Sequence, residues 1–358
     1  MLSSFTVSGF RCLGNLAVPL RRVNLVTGRN GAGKTTLLEA LRLYADAGAW
    51  ETLIEVMQER GEHRAGRDPW EAAKTFLVGH VETAGGLTRG RGPGRCGFES
   101  PEFGKRELFL GWSANGKFNP ALNRPANASA VHAYSTSNLR DGPGKPDGVS
   151  DQIVQVHSAG GWQGGQRPEP VFPLRVVPLI GLASERLFEL WGGVEFTDAE
   201  KSVLEAMRAL VPDVERASFR QREDRAASFP AVKLKGTDGA VPMAALGEGV
   251  QRVFALLCAV WGAKGGMLLV DEIDTGLHFR VQEHVWRAVL DAAAAADVQV
   301  VATTHSADAV RALARAAGGR ESEAQVVRLD SSGGRRSAHV FADATAFEMV
   351  LGDELEVR

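Results

Sequence analysis

The sequence predicts an α/β protein: a mostly parallel sheet flanked by helices, plus an N-terminal antiparallel β portion and a helical/β insertion. Three observations predict it. The run Gly28-Arg29-Asn30-Gly31-Ala32-Gly33-Lys34-Thr35 reads G-x-x-x-x-G-K-T, between an apolar strand, Val23 to Thr27, and a helix from Lys34 to about Tyr44. From 246 to 317 near-continuous apolar strands alternate with amphipathic helices, the pattern of a parallel sheet covered on both faces. Before the glycine run, Phe5-Thr6-Val7 and Leu16 to Leu20 read as antiparallel strands.

Along the chain, the first helix carries Leu37, Leu38 and Leu41 on one face. Residues 49–170, rich in Gly, Pro, Asn and Arg, read as a β-rich insertion. Its strand-like pieces are Thr75 to Val81, Glu107 to Leu110 and Ile153 to His157, with long loops over 84–105 and 135–150. A buried strand is expected over Arg175 to Ile180. Thr197 and Glu200 form a capping box, and the helix they open carries Leu204, Met207, Leu210 and Val211 and stops at Pro212. A hairpin follows, Ala231 to Lys235 against Ala240 to Met243. Val250, Val253, Phe254, Leu257, Cys258 and Trp261 mark a helix at 3.6-residue spacing; then come the strand Met267–Val270, a helix over about 280–296, the strand Val298 to Thr303 and a helix from Ala307. The expected division is a discontinuous core, 1–48 and 240–358, an insertion, 49–170, and a connecting segment, 171–239.

Composition narrows the function. At 358 residues and 44% hydrophobic content the chain can bury a full core. No apolar run is long enough to cross a bilayer, and Met1 to Phe5 lacks the features of a secretory signal, so a cytoplasmic protein is expected. Cys12, Cys96 and Cys258 are scattered and read as reduced thiols. A net charge of −2 gives no support for nucleic-acid binding. Arg89, Arg91 and Arg95, and Arg216, Arg220, Arg222 and Arg225, read first as solvated loop arginines, with a DNA-contacting groove as the second reading.

The chemistry gathers around the glycine run. There, backbone N–H groups can curl around phosphate oxygens and a helix N-terminus adds positive potential. Lys34 would reach the β- and γ-phosphates of a nucleotide and the Thr35 hydroxyl would hold Mg²⁺, with Asn30, Gly31, Gly33 and Thr36 completing the contacts. Met267 to Val270 ends in Asp271-Glu272: Asp271 is the second candidate for Mg²⁺ and Glu272 for the attacking water. His305, closing the next strand, would face the γ-phosphate.

Gly247-Glu248-Gly249 at the start of a long helix, with the preceding motifs, resembles the signature of ABC-type ATPase heads. Within these the chain most resembles the RecF, SMC and OLD-like group. The match rests on Phe5-Thr6-Val7-Ser8-Gly9-Phe10-Arg11, on Asp271-Glu272-Ile273-Asp274-Thr275-Gly276-Leu277-His278 and on Thr303-Thr304-His305-Ser306. It covers roughly 1–48 and 171–310. The resemblance implies a P-loop NTPase with an ABC-type head, using ATP and Mg²⁺. Two subunits would sandwich ATP, so that Gly247, Glu248 and Gly249 of one cap the γ-phosphate held by the other. It implies a DNA-repair or antiphage-defence ATPase acting on a separate effector, since the tail beyond His305 is too short for a nuclease domain, and it places no part of the chain in a membrane. Gly247 stands where the group usually has serine, and Glu248 where it has glycine. The residue equivalent to the family's Q-loop glutamine is open, with Gln152 and Gln155 as candidates; Ser184-Glu185-Arg186 is a candidate for a nucleotide-proximal arginine. The alternatives are the nucleotide-binding subunit of an ABC transporter and an ATP-gated scaffold with negligible turnover.

Overall fold

A computed structural model describes residues 1–62, 80–83, 86–89, 95–114, 117–119, 130–138, 150–158, 161–163, 169–179, 181–221, 228–332 and 335–352. The phosphate-loop strand Val23–Thr27 lies inside a six-stranded sheet, ordered Leu174–Val177, Met267–Val270, Gln299–Thr303, Val23–Thr27, Ala324–Ser332, Arg335–Phe341. The first five strands are parallel and the last returns antiparallel as a hairpin. Alternation along each strand feeds two cores. Leu25, Leu268, Val270, Val300 and Ala302 pack under the helices Glu248–Gly262, Phe279–Ala295 and Ala307–Ala316. Val26, Leu269, Val301 and Val327 pack against the helix Lys34–Ala45. Burial on both faces is why these strands read as unbroken apolar runs.

At the opposite end of the strands from the loop, a buried amide network ties the N-terminus to the sheet. Gln299 accepts from the Leu2 N–H at 2.9 Å and donates to the Leu2 carbonyl at 2.8 Å, while Gln325 donates to the Asn24 side chain at 2.9 Å. Each amide is satisfied, so the network specifies register at little cost.

The N-terminal strands Ser4–Ser8 and Asn15–Pro19 pair antiparallel, as expected. They are also the end of an eight-stranded antiparallel sheet that runs through Arg95–Ser100, Gly104–Ala114, Ala130–Asn138, Ser150–Ser158 and Gly161–Gln163, with Lys117–Asn119 alongside. Strands of the insertion therefore extend the N-terminal sheet. The loop expected over 84–105 contains a strand, Arg95–Ser100; the expected strand over 75–81 lies largely outside the described residues, as do positions 139–149. Aromatic contacts join this sheet to the first helix: Phe5 meets Tyr44 at 5.4 Å and Phe98 at 6.2 Å, and the Tyr44 hydroxyl donates to the Gly104 carbonyl at 2.9 Å.

A helix, Trp50–Glu59, opens the stretch expected to be β-rich. Its buried residues Leu53, Val56 and Met57 fall at i, i+3 and i+4, a helical spacing outweighed by the composition of the following hundred residues. The strand expected over 175–180 is Leu174–Val177, the edge of the parallel sheet; Pro178 ends it. At the helix Asp198–Arg208, the Thr197 hydroxyl accepts from the Ala199 N–H at 3.2 Å, while the Glu200 carboxylate accepts from Phe196 rather than Thr197, at 2.7 Å. The expected hairpin, Ser228–Leu234 with Ala240–Pro242, belongs to a three-stranded sheet with Val214–Gln221. Arg216 and Arg220 are exposed on that strand; Arg222 and Arg225 lie outside the described residues. Cys258 is fully buried, and burial pushes its thiol up, as expected of an inert structural cysteine. Among the described residues no helix is long and apolar enough to cross a membrane.

Candidate nucleotide site

The strands Val23–Thr27, Met267–Val270 and Gln299–Thr303 end side by side, and the loops after them meet. Gly28 and Gly33 have φ of +137° and +106°, which L side chains rarely adopt. A Cβ on Gly28 would lie 2.3 Å from the Leu329 backbone oxygen. Gly28→Ala is therefore expected to cost about 3 kcal/mol, combining left-handed strain with a backbone clash; urea unfolding reads this. The helix Lys34–Ala45 starts at Gly33 with no side-chain cap and no acid in its first turn, so its first N–H groups are left to an anion.

A cavity of about 460 Å³ opens there, lined by Arg11, Cys12, Asn30, Gly31, Gly33, Lys34, Thr35, Thr36, Arg60 and His305. Six of the predicted nucleotide contacts and the predicted histidine thus share one wall. Its volume suits a small organic ligand. Lys34 is buried and bends back to donate to the Gly28 carbonyl at 2.8 Å, the Arg29 carbonyl at 3.3 Å and His305 Nδ1 at 3.2 Å. Burial holds its ammonium below the ordinary lysine range, while Asp271 and Glu272 oppose that shift. An anion in the cavity would supply the charge partner that backbone carbonyls cannot.

Asp271 and Glu272 stand behind the cavity wall, in contact with its residues Thr35 and His305. Thr35 Oγ1 lies 3.4 Å from both Asp271 oxygens, and Thr303 donates to Asp271 at 2.5 Å. Among the described residues no three His, Cys, Asp or Glu side chains form a metal cage. Thr35 with one carboxylate suits Mg²⁺, which keeps waters and phosphate oxygens as its other ligands. Glu272 has a φ of +46°, unusual for glutamate; its N–H donates to Thr303 Oγ1 at 2.9 Å and its carboxylate accepts from Thr275 at 3.3 Å. His305 Nε2 is 3.8 Å from Glu272 Oε1. Since Nδ1 accepts from Lys34, the ring proton belongs on Nε2, facing Glu272. Ser306 caps the following helix through the Ala309 N–H at 3.3 Å, so capping and the histidine contact coexist.

Gly247, Glu248 and Gly249 do not line this cavity. Gly247 turns into the helix Glu248–Gly262 at φ +99°, again with no side-chain cap. The Glu248 side chain lies against Gly276, where an added Cβ would be 3.1 Å from its Cγ, so it packs on the turn after Asp271-Glu272. Gln152 and Gln155 belong to the antiparallel strand Ser150–Ser158, not to the parallel sheet. Arg186 pairs with Glu189 at 2.6 Å and does not reach the cavity.

Three residues were missed as site residues. Arg11 is held by Glu62 at 2.9 Å, and Arg60 by the buried Glu39 and by Thr36 at 3.5 Å; both guanidinium groups face the cavity. Burial raises the Glu39 carboxyl, and Arg60 opposes the shift. Arg252, 7% exposed, donates to the carbonyls of Pro178 (3.1 Å), Asp271 (2.9 Å) and Glu272 (3.1 Å), fastening the helix Glu248–Gly262 to the turn after Val270. Burial pushes its proton affinity down, with Asp271, Asp274, Glu248 and Glu272 opposing. Arg252→Ala is expected to cost about 3 kcal/mol, because charge-assisted bonds are lost and buried carbonyls left unpaired; a lower urea midpoint would show it.

Fold and site together define a P-loop, ABC-like ATPase head. Residues 130–311, just over half of the chain, match the family described as "AAA domain, putative AbiEii toxin, Type IV TA system", and the chain belongs to that family. Residues 4–45 match a second family described as "AAA domain". No curated protein matches the chain. Among solved structures it is similar to an Smc head bound to the C-winged helix domain of ScpA, at 13% identity and TM-score 0.53, covering 97% of this chain and 99% of that one. It is also similar to an Smc head with an extended coiled coil, bound to the C-terminal domain of ScpA and derived from Pyrococcus furiosus, at 12% identity and TM-score 0.51, covering 99% of each chain. At these identities the likeness is one of fold.

Proposed function

We propose that this chain binds and hydrolyses ATP, that ATP joins two copies head to head, and that the cycle regulates a separate effector or a nucleic-acid transaction in DNA repair or antiphage defence. The observation that carries the reading is that Lys34, Thr35 and His305 line one cavity, with Asp271 within 3.4 Å of Thr35 and Glu272 within 3.8 Å of His305. Lys34, Arg11 and Arg60 neutralise phosphate charge; Glu272 takes the proton of the attacking water, with His305 positioned beside it. When bound with the nucleotide by Thr35 and Asp271, Mg²⁺ supplies further charge neutralisation.

The open N-terminus at Gly247, outside the cavity of its own chain, supports completion of the site by a second copy. With the Glu248 side chain turned onto Gly276, the first N–H groups of the helix, those of Glu248 and Gly249, are left to meet phosphate, which removes the repulsion a glutamate there would cause. The matched family's description names a putative toxin of a type IV toxin–antitoxin system, and the Smc heads similar in fold are bound to ScpA; both favour a separate protein partner. We keep the division into core, insertion and connecting segment as part of the proposal, with the edge strand Leu174–Val177 assigned to the core sheet. The test is phosphate release from Mg·ATP by the full chain, with and without DNA. Turnover is expected in both; none in either would sink the assignment, and stimulation by DNA would select the nucleic-acid branch.

A further inference from the structure

We propose that the trench along the edge of the parallel sheet docks an extended, mostly apolar segment of a partner protein carrying a single acid, which adds a strand to Leu174–Val177 and sets its carboxylate on Arg175. Among the described residues the edge is open on one side. Pro173 and Val177 carbonyls accept from Met267 (2.8 Å) and Asp271 (3.0 Å), so odd-numbered positions face the sheet. In a parallel pair the alternate residues, Leu174 and Val176, turn their backbone groups the other way. Both line a cavity of about 580 Å³ that contains none of the phosphate-loop residues. Helices from both sheet faces wall it, with Arg42 on one side and Arg186 on the other. The Leu174 carbonyl is held by the Arg175 guanidinium at 2.9 Å. The remaining outward groups, the Leu174 N–H and the Val176 N–H and carbonyl, are what strand addition uses inside a partly apolar trench.

Charge specifies the guest. Arg42 is held by Glu55 (2.7 Å) and Glu59 (2.9 Å), and Arg186 by Glu189 (2.6 Å). Arg175 is different. It donates to its neighbour's carbonyl, Leu174, at 2.9 Å, its Nε is buried with no hydrogen-bond partner, and among the described residues no carboxylate pairs with it. Its stem packs against the signature helix, with Nε 3.8 Å from where a Gly262 Cβ would stand. Burial and the nearby Arg186 push its proton affinity down while Glu189, itself paired with Arg186, only partly opposes them, and a carboxylate placed directly on Arg175 would oppose them further. Asp46 and the Arg42-paired Glu55 and Glu59 also line the trench, so its charge is mixed and suits a neutral peptide backbone with one acid better than a polyanion such as nucleic acid.

The test is selection of displayed random heptapeptides on the full wild-type chain, followed by binding of the enriched peptides to Arg175→Glu and Arg175→Met. Enriched sequences are expected to alternate apolar residues around one Asp or Glu. They should lose at least about tenfold in affinity on both variants, about 1.4 kcal/mol. They should persist in saturating ATP and bind Lys34→Ala as they bind wild type, which separates this site from the nucleotide reading. Arg175→Met keeps the packed stem, so the comparison stands if the charge reversal fails to fold. No such consensus, or peptides indifferent to the Arg175 change, overturns the proposal.

Discussion

Replacing Glu272 by Gln is expected to lower phosphate release by about 10²- to 10⁴-fold, the contribution of a positioned general base, while ATP still binds. The substitution is isosteric, so the Thr275 contact at 3.3 Å and the backbone bond to Thr303 at 2.9 Å can persist. What is lost is a carboxylate that can take a proton beside His305, 3.8 Å away. Lys34, Thr35 and Asp271 are untouched, so affinity for Mg·ATP should change little. Single-turnover phosphate release with radiolabelled ATP reads the effect directly. A variant with wild-type release would remove Glu272 from the chemistry and leave the base unidentified.

Lys34→Ala is expected to weaken ATP binding by about 100-fold, the equivalent of roughly 2.7 kcal/mol and in the range of a charge-assisted bond. In the chain alone Lys34 makes only carbonyl contacts and the one to His305. Its removal also removes a buried charge, so the fold without nucleotide should be affected little. The distinguishing readout is linkage. Wild type at 100 times its dissociation constant gains about 2.7 kcal/mol from ATP; the variant at the same concentration should gain less than about 0.5 kcal/mol by the same relation. Thermal unfolding with and without ATP measures both. An undiminished shift in the variant would place the nucleotide elsewhere.

Much of the fold and most of the nucleotide cavity were legible because their signals are local. Gly28 to Thr35 and Met267 to Glu272 are continuous runs in which each residue type has a mechanical reason, and His305 closes a strand whose neighbours were already identified. What was not legible depends on contacts distant in sequence. Arg11 and Arg60 meet at the cavity from positions forty-nine apart, paired there with Glu62 and Glu39. Arg252 looks like an ordinary polar position on a helix until the turn after Val270 packs against it. The direction of Glu248 is set by Gly276, twenty-eight positions further on. The strands Ala324–Ser332 and Arg335–Phe341 went unread because a central strand and its hairpin partner share one short segment, and the outer strand is largely polar. Gln152 and Gln155 were proposed on residue type alone, and the sheet they belong to is a different one.

The central claim is that ATP makes two copies of this chain into one site. Size-exclusion chromatography with light scattering on Glu272→Gln, with and without Mg·ATP, tests it most directly. A dimer in ATP that reverts to monomer without it, and that the double variant Lys34→Ala/Glu272→Gln fails to form, is the predicted result. A Glu272→Gln chain that binds ATP fully and stays monomeric at every concentration would contradict the account.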